Sequence, residues 1–134
     1  MPADASAPAR QRLRVFLVEN NDDTRNTMTQ LITLMGCEAL SAATMAEALE
    51  RLPGADADVL VSDIGLPDGD GWELLRRLEG LSRRPYAVAM SGYGMAEDRE
   101  RSLKAGYRHH LVKPMDIERL EALLEEAARE RFGA

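Results

Sequence analysis

Five polar side chains in this sequence stand directly after short apolar runs, and their types suit a hard cation and a phosphoryl group. Glu19 and Asn20 follow Val15-Phe16-Leu17-Val18, and Asp63 closes Val59-Leu60-Val61-Ser62. Ser91 follows Tyr86-Ala87-Val88-Ala89-Met90, and Lys113 follows His109-His110-Leu111-Val112. The acid of Glu19, the amide oxygen of Asn20, the carboxylate of Asp63 and the turn carbonyls near Gly65 form a hard-oxygen set, of the kind magnesium takes while keeping several waters. The Ser91 hydroxyl and the Lys113 ammonium suit an anionic phosphoryl group. Taken singly, each has a plainer reading: an Asp that caps a turn, a Ser that caps a strand, a surface Lys before Pro. Their meaning depends on whether the fold brings them together.

The flanking elements are arranged to do so. Leu13–Val18 reads as a first strand, followed by a helix that starts near Asp22 or Asp23, whose acids suit an N-cap and the positive end of the helix dipole. In that helix Met28, Leu31, Ile32 and Met35 recur at helical spacing, and Gly36 stops it. Cys37–Ala42 is a weaker strand placed nearer an edge. Thr44-Met45-Ala46-Glu47 has the form of a capping box; Met45, Ala48, Leu49 and Leu52 face inward, and Pro53-Gly54 ends the helix. Val59–Asp63 is apolar without alternation, as in a strand buried on both faces. A turn through Pro67 and Gly69 leads to a helix from Gly71 to Leu78, with Leu74, Leu75 and Leu78 inward. A fourth strand, Tyr86–Met90, precedes the loop Ser91-Gly92-Tyr93-Gly94. Ala96–Ala105 is a charged helix with little apolar face, closed by Gly106. A fifth strand, His109–Val112, precedes a last helix from Asp116 to about Arg131, with Ile117, Leu120, Leu124, Ala127 and Ala128 inward. Strand and helix alternate five times, which implies an α/β protein: a (βα)5 doubly wound parallel sheet joined by right-handed crossovers. Ligands in such sheets bind at the carboxyl ends of the strands, where all five polar groups lie.

Composition bounds the partners. The chain has 134 residues, 45% hydrophobic and 30% charged, with a net charge of −6. That size fits one domain, and the acidic balance argues against direct nucleic-acid binding. Cys37 is the single cysteine, so no internal disulfide can form and a reducing cytoplasm is the simplest location. No apolar run spans a membrane. Residues 1–12, rich in Ala and Pro, read as a disordered leader or linker, residues 13–131 as the domain and 132–134 as a short tail. A Gly-rich turn after the first strand is missing, which disfavours dinucleotide or flavin binding.

The motifs Val15-Phe16-Leu17-Val18-Glu19-Asn20-Asn21, Ser62-Asp63-Ile64-Gly65-Leu66-Pro67 with Asp70-Gly71, Met90-Ser91-Gly92 and Leu111-Val112-Lys113-Pro114 together resemble the response-regulator receiver domain of bacterial two-component signalling. The likeness covers about residues 13 to 131. It implies a flavodoxin-like sheet of strand order 2-1-3-4-5, a phosphoacceptor at Asp63, and magnesium held by Asp63, the side chain of Asn20, the carbonyl of Gly65 and Glu19 through water. It further implies that Ser91 and Lys113 bind the phosphoryl group, that Lys113-Pro114 is cis, and that His110 occupies the place of a rotating aromatic switch. Such a domain is a signalling phosphoacceptor rather than an enzyme. Its donor is a histidine kinase or histidine phosphotransfer protein, and a downstream protein binds the face formed by residues 96–131, where homodimerisation is also open. The domain is either free-standing or part of a hybrid kinase. Two departures stand out. Asn20 replaces one of two usual carboxylates, and His110 replaces Tyr or Phe. Asn20 favours an alternative, a degenerate receiver that binds its partner without phosphate. An aspartyl-phosphate phosphatase is disfavoured because its nucleophile follows the first strand, where Glu19-Asn20-Asn21 stands here.

Overall fold

The computed structural model describes residues 12–81, 83–92 and 96–133. Of the expected leader, residues 1–12, all but Arg12 lie outside the described residues, as do residues 93–95 of the loop after Ser91. Five strands, β1 (Arg14–Val18), β2 (Glu38–Ala42), β3 (Val59–Asp63), β4 (Tyr86–Ser91) and β5 (His109–Val112), form one sheet of order β2-β1-β3-β4-β5. Every neighbouring pair in it is parallel. The helices are α1 (Asp22–Leu34), α2 (Met45–Ala55), α3 (Gly71–Arg77), α4 (Ala96–Ala105) and α5 (Ile117–Phe132).

The apolar runs account for the layering. All residues of β3 and β4 are buried, as runs without polar alternation require when helices cover both faces. Side chains alternate across the sheet. Val15, Leu17, Val59, Val61, Val88 and Met90 pack against α1 and α5 through Met28, Ile32, Leu120, Leu123 and Leu124. Phe16, Val18, Leu60, Ala87 and Ala89 pack against α2 and α3 through Ala48, Leu52, Leu74 and Leu75. The strand β2 lies at an edge and is only partly buried, as its weaker pattern implies.

Four details depart from the sequence reading. The cap of α1 is Asn21, whose Oδ1 accepts the Thr24 N–H at 2.9 Å, so Asp22 and Asp23 sit in the first turn; a cap of this kind contributes about 1 kcal/mol. Pro53-Gly54 does not end α2, which continues to Ala55. Pro53 lies in the last turn, where it removes a single ladder bond. Termination falls to Asp56 in the left-handed conformation, φ 52°, while Arg14 Nη1 donates to the Ala55 carbonyl at 2.8 Å. Leu123 is buried in α5, whereas Ile117 is 51% exposed because it stands at the open start of that helix. The turn after Asp63 contains a two-stranded antiparallel ladder, Gly65–Leu66 with Gly69–Asp70.

Candidate functional site

Backbone bonds continue past the strand ends and fix the positions of the chemical groups. Glu19 N–H donates to the Ala42 carbonyl at 3.0 Å, Ile64 N–H to Met90 at 2.9 Å and Lys113 N–H to Ser91 at 2.8 Å. The Lys113-Pro114 peptide is cis. After Asp63 the chain must turn back sharply, and Gly71 N–H donates to the Ile64 carbonyl at 2.8 Å. A Cβ on Gly71 would stand 2.6 Å from the carbonyl oxygen of Asp63, so only glycine permits this approach. Asp70 caps α3 through the Glu73 N–H at 2.8 Å. Asp68 reaches across to α2, its two carboxylate oxygens accepting the Met45 and Ala46 N–H groups, each at 2.8 Å. These two amide bonds hold its carboxyl below the usual range.

The sheet edge then gathers a triad. Lys113 Nζ lies 2.6 Å from Glu19 Oε1 and 2.9 Å from Asp63 Oδ2. The second oxygen of Glu19 accepts the Asn21 N–H at 2.8 Å, which orients an acid that is only 1% exposed. One ammonium thus serves two buried carboxylates. Burial pushes the Asp63 carboxyl up, the Lys113 hydrogen bond pulls it down, and the Glu19 charge pushes it up again, leaving it at about 6. Burial pulls Lys113 down, but its bonds to Glu19 and Asp63 outweigh that and hold the ammonium above its ordinary value. At neutral pH the Asp63 carboxyl is mostly ionised, partly desolvated and held beside the Lys113 ammonium.

A second cluster adjoins the first. Ser91 Oγ lies 2.8 Å from His110 Nε2, and His110 Nδ1 lies 2.7 Å from Ser102 Oγ on α4. Ser102 also accepts the Trp72 indole N–H at 3.0 Å. His110 is buried in this conformation, so it already occupies the inner position toward which a switch would swing.

The response regulator receiver domain model matches residues 15–125. The chain belongs to the response regulator receiver family. An uncharacterized 14.6 kDa protein of Leptolyngbya boryana is 30% identical over 117 residues, covering 86% of this chain and 89% of that protein. The response regulator protein PilR of Pseudomonas aeruginosa is 29% identical over 120 residues, and this chain spans 27% of its length. The CheY-like receiver domain of Methanospirillum hungatei JF-1 superposes with a TM-score of 0.84 at 26% identity, covering 91% of this chain and 98% of that one. The doubly wound (βα)5 fold expected from the sequence is therefore the receiver fold.

Within this receiver the predicted residues do not all converge. Glu19, Asp63 and Lys113 touch, and Ser91 and His110 touch. Asn20 is exposed, and its side-chain amide donates to the Ala43 carbonyl at 3.4 Å rather than to the triad. Gly65 is exposed in the two-stranded turn. Among the described residues no group of three His, Cys, Asp or Glu side chains stands together as a metal cage. The oxygen set is nonetheless of the right type for magnesium: two carboxylates, an amide oxygen and a turn carbonyl, with the charge reduced by Asn20. Sequence reasoning missed Ser102, Trp72 and Arg25. The Arg25 Nη1 donates to the Glu19 carbonyl at 2.9 Å and the Asn20 carbonyl at 3.5 Å, bracing the turn that holds both residues. The available signal was their spacing: Arg25 lies one helical turn into α1, and Ser102 is a small polar residue on the inward face of a helix otherwise almost without buried side chains. Among the described residues no helix is long and apolar enough to cross a membrane.

Proposed function

We propose that this receiver takes a phosphoryl group onto Asp63 from the phosphohistidine of a histidine kinase or a histidine phosphotransfer protein, and relays the change through protein contacts. The carrying observation is Asp63 at the end of β3, 7% exposed, with the Lys113 ammonium 2.9 Å from one oxygen. A carboxylate oxygen of Asp63 attacks phosphorus, the phosphorus–nitrogen bond breaks, and the imidazole leaves with the electron pair. Lys113 pairs with the new charge, and Ser91 hydrogen-bonds a phosphoryl oxygen. Magnesium, held by Asp63, the Asn20 amide oxygen, the Gly65 carbonyl and Glu19 through water, would neutralise charge on the transferring group. Positioning does most of the work in such a transfer, which suits a domain that serves as phosphoacceptor and not as an enzyme on outside substrates.

One groove supports this reading of the donor. A groove of about 590 Å3 runs between α1 and the start of α5, lined by Thr27, Met28, Leu31, Met115, Ile117 and Leu120, and Lys113 and Pro114 continue its wall. An apolar helix face laid there would present its histidine beside Asp63. Output passes through the face of residues 96–131, in the cytoplasm, with a downstream protein or a second copy as the listener and no direct nucleic-acid contact. The exposed side chain of Asn20 supports a second reading, a receiver that binds its partner without phosphate.

Incubation with acetyl phosphate and magnesium, followed by intact mass, separates the two. One phosphoryl group should appear on the native protein and none on Asp63→Asn. Equal modification of the variant sinks the assignment of Asp63, and no modification of either supports the phosphate-independent reading.

A further inference from the structure

We propose that Trp72 and Ser102 are positioning residues for the phosphoryl site: they fix His110 as its Nε2–H tautomer, so that Ser91 meets a phosphoryl oxygen as a hydrogen-bond donor. The proposal rests on Asp63 being the phosphoacceptor. It follows from counting donors and acceptors along the buried contacts. An indole N–H can only donate. It lies 3.0 Å from Ser102 Oγ, so that oxygen accepts. Ser102 is fully buried, and its other hydrogen-bonding partner among the described residues is His110 Nδ1 at 2.7 Å. The single hydroxyl proton of Ser102 therefore goes to Nδ1, which must carry its lone pair. The imidazole proton is then on Nε2, which donates to Ser91 Oγ at 2.8 Å. Ser91 accepts from the imidazole, so its own proton is directed elsewhere. The Ser102 oxygen has room to accept a second proton, but the opposite polarity would leave its own proton without an acceptor among the described residues at a fully buried position.

The indole is well placed to set this order. Trp72 follows Gly71, whose close approach to the Asp63 carbonyl and bond to Ile64 tie the start of α3 to the phosphoacceptor turn. The Arg101 guanidinium lies 3.9 Å over the indole ring and holds its plane. The run Trp72–Ser102–His110–Ser91 thus begins and ends beside the same strand end, passing through α4 on the way. Histidine serves here where a Tyr or Phe side chain would not: it is the one ring that can accept at one edge and donate at the other.

Imidazole 15N NMR on the unmodified protein tests the assignment without any phosphoryl chemistry. His110 should show a protonated Nε2 and an unprotonated Nδ1; an Nδ1–H tautomer overturns the proposal. Beryllofluoride affinity in magnesium then tests the consequence. Ser102→Ala and Trp72→Phe should each weaken it by roughly fivefold, the worth of one net hydrogen bond, and Ser102→Ala should turn the single His110 signature into exchanging tautomers. Trp72→Phe keeps a ring under Arg101, so it covers the case in which Ser102→Ala fails to fold. Wild-type affinity in both variants overturns the proposal. If the native protein takes neither acetyl phosphate nor beryllofluoride, the phosphoacceptor reading fails, while the tautomer is still decided by the NMR spectrum.

Discussion

An aspartate stands at each end of β3, and the protein treats the two in opposite ways. Asp58, just before the strand, is 1% exposed and is surrounded by donors: the Arg14 N–H at 2.8 Å, Arg83 Nη2 at 3.1 Å and Arg131 Nε at 3.2 Å. Asp63, at the other end, is 7% exposed and must share the Lys113 ammonium with Glu19. At the amino edge two guanidiniums serve one carboxylate; at the carboxyl edge one ammonium serves two. The first arrangement is a tie that joins β1, the approach to β4 and the end of α5. The second leaves a carboxylate undercompensated, as the proposed phosphoacceptor role requires. Residue type and burial alone do not distinguish structure from chemistry here; the local balance of charge does.

Removing each carboxylate should therefore shift stability in opposite directions. Asp58→Ala leaves Arg131, Arg83 and the Arg14 amide without their shared acceptor. The expected loss is about 3 kcal/mol, the low end for breaking a buried pair because both guanidiniums can reach water. Asp63→Asn removes an ion whose burial is poorly offset, and it should gain about 1–2 kcal/mol at pH 7. Urea unfolding of both variants checks the pair. The sign follows from the raised carboxyl of Asp63. Between its ordinary value of 3.8 and about 6 the native state holds a proton that the unfolded chain has released, so the native protein loses stability as pH rises through that window. The advantage of Asp63→Asn should grow across the same window and vanish below it. A destabilised Asp63→Asn would mean that Lys113 compensates Asp63 fully and that the contrast between the two ends is not real.

The titration of Asp63 sharpens the comparison further. Carboxyl 13C NMR in magnesium-free buffer should place its midpoint near 6. Glu19→Gln removes the like charge and should lower that midpoint, whereas Lys113→Met should raise it. A midpoint that ignores both changes would leave burial as the whole cause.

Much of this was legible in the residues. Unalternated runs such as Val59-Leu60-Val61 announced a central parallel strand, and both expected glycine stops, Gly36 and Gly106, follow their helices with positive φ. Glu19, Asp63 and Lys113 meet because each closes a strand of one parallel sheet, so their convergence follows from topology. What the sequence hid depends on side-chain direction. Nothing in the order of residues shows that Asn20 turns to Ala43, that Asp68 caps a helix on the other side of the turn, or that Ser102 and Trp72 meet across the α3–α4 seam. The two arginines that compensate Asp58 come from positions 25 and 73 residues away, a pairing that periodicity cannot reveal.

Asn20 is where the undercompensated end can be adjusted with the smallest change. A carboxylate at that position adds a charge to a hard-cation site, which strengthens it. Asn20→Asp should raise magnesium affinity by on the order of 1 kcal/mol, the interaction of unit charges a few ångströms apart in a water-like medium. Arg25, whose Nη1 lies 3.5 Å from the Asn20 carbonyl, could compete for the new carboxylate, but its guanidinium already bonds Asp22 at 2.7 Å and the Glu19 carbonyl at 2.9 Å. The same substitution adds a like charge near Asp63 and should move its metal-free midpoint above about 6. Tighter metal and a less acidic Asp63 must therefore appear together, the first by calorimetry and the second by carboxyl NMR. Asn20→Ala, which removes the amide oxygen without adding charge, should bind magnesium more weakly than the native protein. If Asn20→Asp leaves both quantities unchanged, the side chain at position 20 stays turned toward Ala43 and takes no part in the site.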